Sequence, residues 1–252
     1  MRDEVVRSVA VWTEALGVVP VEVAVRGEGP PLLVLAPLGR ATEAVAPLGQ
    51  ALSGWRVWTV ALPGGGGTAM PSRRLSPLVL VDWIEQLAID LGVRGAPVVG
   101  LGVGGWLALQ WALRHPRSVG RLVVVSPPVS PHATLRVAGL AARLRGVSGV
   151  AGRYLREVVP AGEVRAFWRH LARREDEGAR FPVRLCALFL RQHRRTPVAL
   201  SDALDLQLHG IKVGKLEGGD PCSPAVAGSL AEAIDRFVTR TRSGDAKRTA
   251  NG

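Results

Sequence analysis

Apolar segments and segments of helical periodicity alternate along the first half of this chain. Apolar or alternating runs predict five strands, at residues 19–26, 32–36, 55–62, 96–101 and 121–125. Helical spacing predicts helices at 42–52, 76–91 and 106–114. Ser76 is placed to cap the second helix and Gly92 to end it. This alternation predicts an α/β fold with a mostly parallel sheet and helices on both faces.

The pattern changes in the second half. Short helices are predicted at 135–144, 154–159, 164–174 and 183–192, with no strand pattern among them. An extended segment returns at 211–215, a turn follows at 218–221, and a last helix is predicted at 223–240. These patterns predict three parts: a core built from 1–130 and 207–242, a helical cap at 131–206, and a disordered tail at 243–252.

Basic residues are concentrated in the predicted cap. The chain of 252 residues has a formal charge of +11, and residues 131–200 hold fourteen arginines, no lysine and five acidic residues. Such a segment either attracts an anionic ligand by its field or forms a solvated helical surface. No zinc-finger or ribonucleoprotein pattern accompanies the charge, so no nucleic-acid partner is expected.

The cysteine content and the hydropathy of the chain indicate the cellular compartment in which the protein is expected. The chain has two cysteines, Cys186 and Cys222, which form neither a disulfide framework nor a metal-binding spacing. The N-terminus lacks a signal-peptide pattern, and no apolar run is long enough to span a bilayer. We therefore expect a cytoplasmic protein that uses no metal and does not associate with membranes.

The segment at 98–105, V-V-G-L-G-V-G-G, leads from a strand through a glycine turn into a helix. This is the layout of a G-x-S-x-G nucleophile elbow, in which a strained turn lifts a serine above a parallel sheet. Gly102 stands in the nucleophile position. Because glycine has no side chain to attack a substrate, no acyl-serine intermediate is expected.

The same residues also fit a dinucleotide-binding pattern, G-x-G-x-x-G, with Gly100, Gly102 and Gly105. That site needs the motif in the first βα unit and an acidic residue about 20 positions further on. Two predicted strands precede the motif, and residues 117–132 contain no acidic residue. The pattern therefore disfavours a nicotinamide or flavin site, and no cofactor is expected.

Five segments, in this order, resemble the α/β-hydrolase family. They are L-V-L-A-P-L-G at 33–39, A-L-P-G-G-G-G at 61–67, the elbow, R-H-P-R-S-V-G-R-L-V-V-V-S-P at 114–127, and E-G-G-D-P-C-S-P at 217–224. The resemblance covers most of 19–125 and 207–235. It implies the α/β-hydrolase fold, with a helical cap inserted after the strand at 121–125.

The resemblance also implies a catalytic triad in the order Ser, Asp, His. Its nucleophile position falls on Gly102 and its acid position on Asp220. The histidine, with an eighth strand, should follow Asp220, but the last histidine in the chain is His209. The oxyanion loop, which begins His-Gly in the family, here has Ala36 and Pro37. The triad is therefore expected to be degenerate, with Asp220 either a catalytic group or a turn residue.

The remaining groups predict a binding site for an anion. The backbone N–H of Val103, at a helix N-terminus, and that of Leu38 or Gly39 are placed to donate to an anion. Arg40 is placed to hold a carboxylate through a forked pair of bonds, unless it is an ordinary surface charge. Gly102 leaves room for the ligand.

Three more residues are candidate ligand contacts. Trp106 follows the elbow glycines and fits either a pocket floor or the core. His132 fits a pocket mouth or the surface, and Trp168 fits a lid or the small core of the cap.

These observations support two functions of different classes. The first is a non-hydrolytic enzyme that isomerises, epimerises or cyclises an anionic acyl or peptide substrate in natural-product biosynthesis, like the bottromycin-type peptide epimerase of this superfamily. The second is a binding or partner protein without chemistry. An esterase ranks third.

Overall fold

The computed structural model describes residues 4–127, 149–159, 162–164, 166–167, 182–191, 212–218 and 220–239. The strands in these segments are β1 (Val5–Thr13), β2 (Gly17–Arg26), β3 (Pro31–Leu35), β4 (Arg56–Val60), β5 (Val98–Leu101), β6 (Arg121–Val125), β7 (Arg184–Arg191) and β8 (Lys212–Glu217). The α-helices are α1 (Ala46–Ala51), α2 (Pro77–Asp90), α3 (Val103–Arg114), α4 (Val150–Glu157) and α5 (Pro224–Thr239), and a 3-10 turn at Thr42–Val45 precedes α1.

The eight strands form one sheet in the order β1-β2-β4-β3-β5-β6-β7-β8. The pairs β1–β2 and β2–β4 are antiparallel, and every other neighbouring pair is parallel. The predicted α/β class with a mostly parallel sheet is therefore confirmed. Because ligands of such sheets bind beyond the carboxyl ends of the parallel strands, the loops after β3, β5, β6 and β8 are the ones to examine.

Helices cover both faces of the sheet, as predicted. One buried cluster joins the sheet to α2 and α3 and contains the fully covered Trp83 and Trp111. The other joins it to α1 and α5 through Leu48, Leu230 and Ile234. No helix in the described segments has the length and hydropathy needed to cross a membrane.

The predicted ends of α2 are confirmed. The Ser76 hydroxyl accepts a hydrogen bond from the Val79 N–H at 3.2 Å, which satisfies one of the free donors of the first turn. Gly92, just beyond the helix, has a φ of +67°. A positive φ at this position is the usual glycine C-cap.

The helix predicted at 183–192 is wrong, because this segment is strand β7. It pairs in parallel with β6 on one side and β8 on the other. Leu185, Cys186, Ala187 and Leu188 are all buried, so both faces of the strand are covered. A short, continuous apolar run does not distinguish a doubly buried strand from a buried helix. Part of the range predicted as a cap therefore belongs to the central sheet.

The remaining predicted elements are present in part, and some lie outside the described residues. The sequence reasoning missed β1, whereas the last helix is present at Pro224–Thr239 and a cap helix at Val150–Glu157. The helix predicted at 135–144 and the tail at 243–252 lie outside the described residues. The cap and tail assignments there stay predictions.

Candidate functional site

Gly102 forms the turn between β5 and α3. Its φ of 54° and ψ of −119° lie in a region that side-chain-bearing residues rarely adopt. Its N–H donates to the Val125 carbonyl at 2.9 Å, and its carbonyl accepts from the Trp106 N–H at 3.2 Å. The strained geometry of a nucleophile elbow is therefore present, but the residue at its apex has no nucleophile.

The glycines on either side of Gly102 are required by packing. A Cβ on Gly100 would lie 2.5 Å from the Cα of Gly105, and one on Gly104 would lie 2.6 Å from the Leu35 carbonyl oxygen. Real Cβ atoms essentially never approach other atoms so closely. These glycines therefore allow α3 to pack directly on β3 and β5, which holds the elbow in place.

The described residues leave space at Gly102. Among them, a Cβ at this position would have one neighbour within 4 Å, the Pro37 Cβ at 3.9 Å. Pro37 begins a turn, residues 37–40, in which the Arg40 N–H donates to the Pro37 carbonyl at 3.2 Å. The fold thus brings the turn that carries Leu38, Gly39 and Arg40 beside the elbow. Val103, the first residue of α3, follows Gly102 directly, and the role of Val103 and of the turn residues in binding a ligand stays a prediction.

Arg40 forms an ion pair with Asp220. Its Nη2 lies 3.0 Å from the Asp220 Oδ2, and both side chains are about half exposed. The other carboxylate oxygen, Oδ1, accepts the Cys222 N–H at 2.9 Å. Arg40 was predicted to hold the carboxylate of a ligand, and in this structure it holds a carboxylate of the chain itself.

The position of Asp220 corrects the triad implied by the resemblance. The eighth strand was expected after Asp220, but β8 (Lys212–Glu217) precedes it. Asp220 therefore lies between the last strand and α5, in the loop where the resemblance implies the histidine. The loop after β7, where the acid would then fall, lies outside the described residues. A catalytic role of Asp220 stays a prediction.

A residue that the sequence reasoning missed, Glu22 on β2, joins two loops beside the elbow. Its carboxylate accepts hydrogen bonds from the Thr42 N–H and hydroxyl, both at 2.7 Å, and from the Gly67 N–H at 2.6 Å. Burial acts to raise the pKa of Glu22, but these hydrogen bonds outweigh it and hold the pKa below its ordinary 4.5. The one sequence signal was an acidic residue within an alternating strand.

The glycine run at 64–67 allows this joining. A Cβ on Gly65 would lie 2.7 Å from the Arg40 carbonyl oxygen, and one on Gly66 would lie 2.7 Å from both carboxylate oxygens of Glu22. Side chains at these positions would push the two loops apart. The run therefore positions the Arg40 turn through backbone packing.

Ser126, at the end of β6, is strained as well. Its φ of 45° makes it the one non-glycine residue with a positive φ in the described segments. Its N–H donates to the Leu188 carbonyl at 2.8 Å. Strained residues cluster at functional sites. The neighbouring strands β5 and β6 thus both end in strained turns at this edge.

Trp106 has a packing role in this structure. The side chain is fully covered, its Nε1 donates to the Val158 carbonyl at 3.3 Å, and its ring meets the Phe167 ring edge-on at 4.8 Å between centroids. Trp106 therefore ties Val158 and Phe167 to the elbow helix, and a ligand would reach its ring only after these neighbours move. The other two candidates, His132 and Trp168, lie outside the described residues.

Within the segments that the structure describes, no three His, Cys, Asp or Glu side chains lie close enough together to hold a metal ion. Among the described residues, the loops after β3, β5 and β8 carry backbone N–H groups, the Arg40 guanidinium and the Asp220 carboxylate. This set suits hydrogen bonding to an anion and proton transfer.

Comparison with protein families decides the classification. The model of one family, described as the alpha/beta hydrolase fold, matches residues 30–163, more than half of the chain. The chain belongs to the alpha/beta hydrolase fold family. This membership agrees with the elbow at Gly102, which falls within the matched residues.

Curated relatives match this chain over short segments. It is 44% identical over 73 residues to a pimeloyl-[acyl-carrier protein] methyl ester esterase from Aromatoleum aromaticum, a match that covers 29% of this chain and 27% of that protein. It is 45% identical over 58 residues to a homoserine O-succinyltransferase from Leptothrix cholodnii, covering 21% of this chain and 15% of the relative. The matches thus span well under half the length of these relatives.

Solved structures resemble this chain over almost its whole length. The thioesterase domain from the curacin biosynthetic pathway superposes with a TM-score of 0.65 at 15% identity, covering 91% of this chain and 99% of that one. Naproxen esterase (carboxylesterase NP) from Bacillus subtilis superposes with a TM-score of 0.68 at 15% identity, covering 92% and 91%. At such identities the likeness shows the fold alone.

Proposed function

We propose that this protein binds an acyl or peptide ligand that carries a carboxylate, at the elbow, and does not hydrolyse it through an elbow serine. The observation that carries the proposal is Gly102. The strained turn and its supporting glycines are retained, and the nucleophilic side chain is missing. Hydrolysis by an elbow serine would need a nucleophilic side chain at this position and also a base to activate it.

The groups around Gly102 support an anionic ligand. The Val103 N–H begins a twelve-residue helix, whose N-terminus favours negative charge. The half-exposed guanidinium of Arg40 lies on the adjoining turn. Hydrogen bonds to a charged group contribute about 1.5–3 kcal/mol each when shielded from water. The names of the relatives, which include pimeloyl and succinyl groups, agree with an acyl ligand.

The chemistry we propose is isomerisation, epimerisation or cyclisation of such a ligand, of the tailoring kind found in natural-product biosynthesis. When a ligand carboxylate takes the place of Asp220 on Arg40, the Asp220 carboxylate loses its cationic partner and becomes free to accept a proton. In an epimerisation, the Asp220 carboxylate would take the proton from the substrate carbon and release it to water, and water would donate the proton that returns to the opposite face of that carbon. No external oxidant or reductant is needed.

Ester hydrolysis is the second candidate, because several relatives are named as esterases. It is tested with p-nitrophenyl butyrate and a fluorophosphonate serine probe. We expect no turnover above background, no covalent adduct by intact-protein mass spectrometry, and no gain of activity from Gly102→Ser. A stoichiometric adduct on a serine close to the elbow would overturn the proposal.

Ligand binding is tested by calorimetry with octanoate and octanamide. We expect the acid to bind more tightly than the amide, and Arg40→Ala to remove the difference. Arg236→Ala, an exposed arginine in the last turn of α5, is the matched control and should leave binding unchanged. Equal affinity for acid and amide would show that the elbow has no anion site.

Proton transfer is tested separately, in D2O, with an aspartate-containing peptide. Exchange of one carbon-bound hydrogen by the wild type, lost in Asp220→Asn, supports the enzymatic function. Binding without exchange would favour the alternative of a binding protein without chemistry.

A further inference from the structure

The free edge of β1 has the features of a strand that pairs with another strand. β1 is nine residues long, lies at the end of the strand order, and pairs with β2 in an unbroken register from Val5↔Val25 to Thr13↔Gly17. Its other side has no partner strand in the described segments. The backbone groups on that side are a template for a further strand.

Edge strands that stay monomeric are usually protected. The common devices are lysines, prolines, bulges and very short strands. The β1 sequence, V-V-R-S-V-A-V-W-T, contains no lysine or proline, and its register with β2 has no bulge. Arg7 is its one charged residue, and that guanidinium stacks 4.9 Å from the centroid of the Trp58 ring. β1 therefore lacks the protection expected of an open edge.

An apolar patch accompanies this edge. Val6 and Trp12 share one face of β1, because side chains alternate along a strand. Trp12 lies directly opposite Val18 of β2, and both side chains are 63% exposed, while Val6 is 55% exposed. Large exposed apolar side chains grouped at a strand edge mark an interaction surface.

The occupant of this edge follows from its symmetry. In an antiparallel pair of identical strands related by a two-fold axis, one residue must face its own copy, and directly opposite residues share a face. With Val9 on the axis, Val6 faces the partner's Trp12, and the reverse contact is identical. Trp12, Val18 and the partner's Val6 then form one cluster, twice in the dimer.

The two neighbouring registers of the β1–β1 pair do not bring Val6 opposite the partner's Trp12. With Ser8 on the axis, Trp12 would face the partner's Glu4, and with Ala10 on the axis, Val6 would face the partner's Glu14. With Val9 on the axis, Arg7 faces the partner's Val11, so the two arginines do not oppose each other. The partner's Glu14 faces Glu4, whose carboxylate is already neutralised by Arg26 at 3.1 Å.

We propose that this protein forms a two-fold dimer in which β1 pairs antiparallel with the β1 of a second copy, with Val9 on the axis. The two sheets then become one continuous sheet. The proposal is independent of the function of the elbow, which lies in the loop after β5.

The first test is the oligomeric state by sedimentation velocity at micromolar concentration. We expect the wild type to be a dimer, and Trp12→Lys to weaken association about tenfold or more, because buried tryptophans dominate interface energies. Leu78→Lys is the matched control, since Leu78 on α2 is 55% exposed and lies off the edge. Circular dichroism verifies that both variants are folded. A monomeric wild type, or a dimer unaffected by Trp12→Lys, would overturn the proposal.

The second test fixes the register by disulfide formation. Val9→Cys should cross-link with itself under oxidation, and Ser8→Cys should cross-link with Ala10→Cys when the two variants are mixed. The native Cys186 and Cys222 are buried, and oxidation of the wild type measures the background cross-linking that these two cysteines cause. Stronger self-cross-linking of Ser8→Cys or Ala10→Cys than of Val9→Cys would contradict the register.

Discussion

The Arg40 Nη2 lies 3.0 Å from the Asp220 Oδ2, and this ion pair joins the loops that follow β3 and β8. Three strands, β5, β6 and β7, separate β3 from β8 in the sheet. The pair therefore connects loops that are far apart both in sequence and in strand order. Being half exposed, it contributes little to stability, since such pairs have a median of about 0–1 kcal/mol. Its significance lies in the charges that it places on the loops after β3 and β8, at the edge of the sheet where the elbow lies.

The Cys222 thiol is expected to report on this ion pair. Burial, together with the nearby Asp220 carboxylate, raises its pKa to about 11, while Arg40 acts in the opposite direction. In a Cys186→Ser background, alkylation by iodoacetamide should be slow at neutral pH and rise with pH, because the thiolate is the reactive form. Asp220→Asn should speed the reaction and Arg40→Ala should slow it, by about tenfold for each unit of pKa. Equal rates in all three proteins would mean that the pair does not form in solution.

Substitutions of glycine at the elbow should separate backbone strain from steric overlap. Among the described residues, Gly102→Ala has room for its Cβ, so we expect its free energy of unfolding to fall by about 1–3 kcal/mol because of the unfavourable φ alone. Gly104→Ala would place its Cβ 2.6 Å from the Leu35 carbonyl oxygen. It should lower the free energy of unfolding further, because backbone atoms must move to relieve this overlap.

Gly228→Ala is the matched control for these variants. Gly228 lies within α5, and a Cβ there meets nothing within 4 Å in the part of the chain that the structure describes. Alanine at a helical position stabilises by about 1 kcal/mol relative to glycine. Urea unfolding of the three variants provides the free energies. A Gly104→Ala variant as stable as the wild type would contradict the packing of α3 on β3.

Glu22 should link stability to pH. Because its native pKa lies below the ordinary 4.5, the folded state stabilises the carboxylate form. That contribution is present at neutral pH and is lost as the pH falls through the native pKa. Glu22→Gln should therefore lower the free energy of unfolding at pH 7 by about 1–3 kcal/mol and weaken its dependence on acidic pH. Glu43→Gln, at an exposed position nearby, serves as the control in urea unfolding. A similar acid dependence in Glu22→Gln and the wild type would show that Glu22 is not held as described.

Local features of the chain were predictable from the sequence. Alternation predicts β2, short apolar runs bounded by turn residues predict β3 to β6, and the period of 3.6 residues predicts the helices between them. The elbow was also predictable, since its tight turn needs glycines at fixed spacing and Gly102 visibly lacks a nucleophile. The Ser76 cap is another local signal, formed within one helical turn.

The tertiary structure decided what depends on distant neighbours. The segment at 184–191 is a strand because β6 and β8 lie on either side of it, and its apolar run suits a buried helix equally well. Glu22 becomes part of the site because the fold brings the Thr42 and Gly67 donors to its carboxylate. Arg40 and Asp220, 180 residues apart, meet because the sheet directs both loops to the same edge. The sequence by itself determined which chemistry is missing at the elbow, whereas long-range packing decided which charged groups surround it.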